Sequence, residues 1–168
     1  MTDEDVGNSE RKTLENNKLF LDSCSSNLNY ARNILLKIED TTDKEIRLYL
    51  FEYMAIVYLR CFKKSAIRGK TIRELDIGYI ENEYHEHHTK LKHYRDKYYV
   101  HSDIKNLEPK FDQNSYLINQ DNHPYIFDKK TGNPKFLIDD LDSLRSMFEK
   151  IIERIYKEID EVELKLKT

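Results

Sequence analysis

The stretch LYLFEYMAIVYLRCF, residues 48–62, is the most apolar run of the chain, and its reading decides the fold. A run of this kind suits either a buried strand or a buried helix. Length separates the two: from Lys44 to Ile67 more than twenty residues pass without proline or glycine, and strands are rarely so long. The reading is a second helix over about Lys44–Ile67, ended by Gly69 and covered on more than one side. Upstream, Asp40–Thr41–Thr42–Asp43 reads as a turn whose Thr42 or Asp43 caps that helix. Before the turn, Leu14, Leu21, Leu28, Ala31, Leu35 and Ile38 recur at helical spacing. They define a first helix from about Glu10 to Glu39. Residues 1–9 read as a frayed end, and Ser23, Ser25 and Ser26 as a point where the helix can kink.

Downstream, residues 70–79 read as one short helical turn before Gly78. A third helix follows over about Ile80–Ser102, with Tyr84, His88, Leu91, Tyr94 and Tyr98 as its inner positions. Residues 103–138 then hold all three prolines, together with the turn-like QDNHP and TGNP. SYLIN and YIF are short β-prone runs on either side of QDNHP. After Asp139 or Asp140, the residues Leu141, Leu144, Phe148, Ile151, Ile152, Ile155, Ile159 and Val162 form one continuous stripe. Acidic groups near its start and Lys165 and Lys167 near its end suit the helix dipole. The expected fold class is all-α: an up-and-down bundle of four to five long helices. It has a small irregular or β-hairpin insertion over about 103–138, before the last helix.

The chain has 168 residues, enough for one domain over 1–168. With 28 basic and 31 acidic side chains the net charge is −3, which excludes a general basic field for nucleic acid. A local phosphate site needs only a few aligned cations and is not excluded. No apolar stretch approaches the roughly 20 residues that span a bilayer, and MTDEDVGNSE is too acidic for a secretory signal. Cys24 and Cys61 read as two reduced thiols, and the location as cytoplasmic.

Five of the six histidines fall within residues 81–103, ENEYHEHHTKLKHYRDKYYVHSD. Partners at i, i+3 or i+4 share a helix face, so Glu81, His85 and His88 form a sterically possible metal set. The chain has no Glu-x-x-His to build a di-metal bundle. The preferred reading has no cofactor and leaves His85, His87 and His93 on a solvated face. Arg95 and His101 are the more telling pair. Six residues apart, they stand about 120° around and about 9 Å along an ideal helix. They meet at one phosphate if the helix unwinds near Val100, or if a two-fold partner supplies a second pair.

YRDKYYVHSD, residues 94–103, resembles the signature of the HEPN superfamily, the higher eukaryotes and prokaryotes nucleotide-binding domain. That signature is an arginine, a polar residue after it, and a histidine shortly beyond, near a helix end. Arg95, Asp96 and His101 match these elements. The resemblance implies a helical bundle that dimerises with its motif helices facing each other, and prokaryotic branches tied to phage defence or toxin–antitoxin pairs. It further implies metal-independent endoribonuclease activity. His101 would act as general acid–base, Arg95 as phosphate clamp and Asp96 as orienter. Tyr98, Tyr99 and Lys97 would contact substrate RNA. The expected partners are a second copy through the third helix, RNA, and an antitoxin or other regulatory protein, with no membrane. The alternatives are a non-catalytic protein- or nucleotide-binding module of the same type, and the metal-binding bundle of Glu81, His85 and His88.

Overall fold

A computed structural model of the protein describes residues 3–67, 71–95 and 135–167. Its helices are α1 (Asp3–Asp40), α2 (Lys44–Leu59), α3 (His85–Arg95) and α4 (Lys135–Lys167). Two three-residue strands, β1 (Ser65–Ile67) and β2 (Thr71–Arg73), pair antiparallel between α2 and α3. Two 3-10 turns, Ile77–Tyr79 and Asn82–Tyr84, lead into α3.

In α1, Leu21, Cys24, Leu28, Ala31, Leu35 and Ile38 are all buried. Their alternation of three and four residues is the spacing that keeps one seam turned toward a neighbouring helix. That neighbour is α4, whose Leu144, Phe148, Ile151 and Ile155 are buried against it. Charges at both ends set the pair antiparallel. Arg145 Nη1 meets Glu39 Oε2 at 3.1 Å, and Lys18 Nζ meets Glu163 Oε1 at 3.2 Å. α2 folds back on α1 after the turn, where Asp43 Oδ1 accepts the Ile46 backbone N–H at 3.0 Å as an N-cap. Phe51, Met54, Val57, Tyr58 and Leu59 complete a single core cluster.

The expected fold needs correction in several places. Four helices form the bundle, but the pairing of strands lies between α2 and α3 and not before the last helix. Residues 135–138, assigned to a hairpin insertion, are the first turn of α4. The rest of that insertion, 103–134, lies outside the described residues, and no strand among the described residues belongs to it. α2 ends at Leu59, well short of Ile67, because Ile67, Thr71 and Ile72 are β-branched and favour the extended ladder. The Leu75 backbone N–H then donates to the Cys61 carbonyl at 2.8 Å and holds the returning chain against the end of α2. α1 runs without a break through Ser23–Ser26 and reaches back to Asp3. Ser25 returns its hydroxyl to the Asp22 carbonyl at 2.9 Å, which satisfies it inside the helix. α3 starts only at His85, since Asp76 and Glu81 each begin a separate 3-10 turn before it.

Side chains from α1 and α4 hold these turns in place. Tyr79 donates its hydroxyl to Glu158, which also accepts from Asn17 at 3.2 Å, and Asn17 accepts from Arg73. Burial, reinforced by the Glu158 carboxylate, pushes the Tyr79 phenol up, so it remains a donor. Lys150 on α4 reaches Glu81 at 2.6 Å and Glu83 at 2.9 Å and sits 5.0 Å from the Tyr84 ring centre. One lysine therefore ties the entry of α3 to α4. Lys150→Ala should free this turn. Amide exchange at residues 82–85 would rise in the variant and stay unchanged in the middle of α1.

Candidate functional site on the third helix

α3 carries few aliphatic groups, so its docking depends on two residues, His88 and Leu91, both buried. They lie three apart and share a face. His88 Nδ1 and the Tyr58 hydroxyl are 2.8 Å apart inside the core. The imidazole stands edge-on to Phe62, with ring centres 4.7 Å apart, and Tyr58 stacks on Phe148 at 4.8 Å. A histidine from α3, a tyrosine from α2 and a phenylalanine from α4 thus meet at one point. Burial pushes the Tyr58 phenol well above its usual range.

The same burial lowers His88 to about 4, helped by the positive charges of Lys92, His85 and Arg95. The consequence for stability has a definite sign. Above pH 6.5, the ordinary histidine value, the imidazole is neutral in both folded and unfolded chains. As pH falls from 6.5 toward about 4, the unfolded chain takes up a proton that the folded chain refuses. At about 1.4 kcal/mol per pH unit, the loss through this group is on the order of 3 kcal/mol. Urea unfolding of wild type and His88→Gln at pH 7 and pH 4.5 checks this. The wild type should lose more stability on acidification than the variant, and parallel losses would contradict it. A histidine held neutral in this way is a structural anchor and does not shuttle protons near neutrality.

Two further histidines of α3, His85 and His87, are also engaged. His85 Nε2 lies 3.0 Å from the Ile80 carbonyl. His87 Nε2 lies 3.4 Å from Asp140 Oδ1 on α4, and its ring stands 6.1 Å from that of Tyr84. Both are half-buried, so the expected solvated face does not hold for them. Of the conceivable metal set, Glu81 binds Lys150, His85 faces Ile80 and His88 faces Tyr58. The three are not brought together, and no other metal-ligating group of three occurs among the described residues.

Arg95 is the last described residue of α3 and is half-buried. It follows His88 by seven residues, two turns on, and so extends the anchored His88–Leu91 face. Asp96, Lys97, Tyr98, Tyr99 and His101 lie outside the described residues. The contacts of His88 with Tyr58 and of His87 with Asp140 were not legible in the sequence, because they depend on which helices become neighbours. Their only trace was the excess of histidine in a helix poor in aliphatic residues. Comparison of the chain with protein-family models, curated proteins and solved structures finds no match.

Proposed function

We propose that this protein is a metal-independent endoribonuclease. The observation that supports this is the placement of Arg95: it is the last described residue of a helix whose preceding two turns are pinned by buried His88 and Leu91. A guanidinium on a fixed support is suited to clamp a phosphate, because its fork of donors matches phosphate oxygens and stays charged. RNA brings its own nucleophile, so no metal is needed to generate one. In the proposed reaction, His101 accepts the 2′-hydroxyl proton and O2′ bonds to phosphorus. Arg95 stabilises the charge that gathers on the phosphoryl oxygens. The P–O5′ bond breaks, and the departing oxygen is protonated by an imidazolium or by water. The products are a 2′,3′-cyclic phosphate and a 5′-hydroxyl. Asp96 orients Arg95, and Lys97, Tyr98 and Tyr99 contact the RNA backbone and bases.

The test is incubation of purified protein with single-stranded RNA in EDTA. Cleavage in wild type that is lost in Arg95→Ala and in His101→Ala supports the reading. No cleavage, or equal cleavage by all three proteins, overturns it. A toxin or phage-defence role adds a second expectation: growth arrest on expression, relieved by His101→Ala.

A further inference from the structure

α2 is apolar on more sides than the described residues of its bundle cover. Phe51, Met54, Val57 and Tyr58 face the core. On another face, Ile46, Tyr49 and Tyr53 are 50%, 64% and 43% exposed, and half-buried Ile56 continues the line. These four residues stand three, four and three apart. That is the a/d spacing of a helix seam, and here it faces outward. Tyr30 of α1 adds to the patch, its ring edge-on to Tyr53 with centres 5.9 Å apart and itself 49% exposed. Scattered exposed apolar residues need no explanation, but a continuous stripe at seam spacing marks an interaction surface.

The charges at the two ends of the stripe indicate what covers it. Asp43 marks the amino end, while exposed Arg60 and Lys63 mark the carboxyl end. The chain keeps a tight helical turn beyond Leu59, since Arg60, Cys61 and Phe62 each donate to the carbonyl three residues back at 3.2–3.3 Å. A two-fold axis at Tyr53 sets position 43 of one copy opposite position 63 of the other, and position 46 opposite position 60. Asp43 of each copy then meets Lys63 of the other, and the helix dipoles run opposed. Parallel pairing would instead put each charge against its own copy. Tyrosine suits this role, since its ring packs while its hydroxyl stays wet. The mixed charge around the stripe fits a second copy better than RNA, which needs a consistently basic rim.

We infer that the outward Ile46–Tyr49–Tyr53–Ile56 face of α2 is a self-association surface, on which a second copy of this chain packs antiparallel. The pairing is separate from the proposed nuclease chemistry and from the expected contact through the third helix. The contact is about one short helix long, so the dimer should be of the weak, concentration-dependent kind.

Sedimentation equilibrium of the full chain from about 1 to about 200 µM tests this, the range being set by the small contact. Wild type should pass from monomer to dimer, and Tyr49→Glu/Tyr53→Glu should remain monomeric with unchanged helical circular dichroism. Asp43→Asn keeps the cap acceptor and removes the charge. It should weaken association several-fold at low salt, as should Lys63→Glu, and both differences should shrink as salt is raised. A monomeric wild type throughout would overturn the inference. So would a dimer that survives the double tyrosine variant, or a monomer whose Tyr49 and Tyr53 instead bind oligoadenylate.

Discussion

Arg95→Ala and His101→Ala are each expected to slow RNA cleavage by about 10²–10⁴-fold while leaving unfolding midpoints close to wild type. The two losses should differ in kind. Removing the imidazole removes a proton acceptor, so the pH–rate profile of His101→Ala should lose the limb set by the general base. Removing the guanidinium removes charge stabilisation, so Arg95→Ala should keep the shape of the profile at a lower rate. Arg95→Lys should fall between them, because an ammonium keeps the charge but not the two-pronged fork. The double variant should lose little more than the worse single one, since groups that act on one phosphate are not additive. Single-turnover rates on a defined RNA in EDTA decide the matter. A His101→Ala enzyme with an unchanged profile would place the acid–base group elsewhere. His88 is not a candidate for that position, because its ring is enclosed by Tyr58 and Phe62 and held neutral.

Phe148→Ala should destabilise the fold by about 3–5 kcal/mol, the range for emptying a fully enclosed aromatic site. Phe148 has no exposed surface and stacks on Tyr58, which in turn meets His88. The cavity would open where α2, α3 and α4 converge, so the loss is not confined to α4. Part of it should appear as looser docking of α3, whose buried anchors among the described residues are His88 and Leu91. Chemical denaturation gives the total. Amide exchange in residues 86–95 of the variant, compared with the middle of α1, shows whether α3 loosens first. Phe148→Leu, which keeps most of the volume, should cost about 1.5 kcal/mol or less. A loss below about 1 kcal/mol in the alanine variant would mean that the site collapses without harm and that the docking of α3 does not rest on the three-helix junction.

Much of the helical layout was legible from spacing alone. The α1 stripe through Leu21, Leu28, Ala31, Leu35 and Ile38 and the α4 stripe through Leu144, Phe148, Ile151 and Ile155 are buried as their periodicity requires. The cap at Asp43 was one of two candidates read from the turn. The errors cluster between residues 60 and 85, where local preference is weak. There, two paired strands stand where the second helix was expected to end and the short turn to begin, two 3-10 turns lead into the third helix, and Glu158, Asn17 and Lys150 hold them from α1 and α4. No window of sequence contains those partners, since Tyr79 and Glu158 stand 79 residues apart. The candidate site divides in the same way. Arg95 was visible as part of a short motif, whereas the role of His88 as a buried anchor was not. A histidine on a helix looks alike in sequence whether it faces water or a tyrosine hydroxyl.

Periodic apolar residues determine which faces of α1, α2 and α4 must leave water. That part follows from the chain's own order, because burial free energy sums over a repeating pattern whatever the partner. Pairing of His88 with Tyr58, of His87 with Asp140 and of Lys150 with Glu81 came from the packing of helices far apart in the chain. Polar contacts are directional and short-ranged. They exist only once two backbones have been brought within a few ångströms of each other.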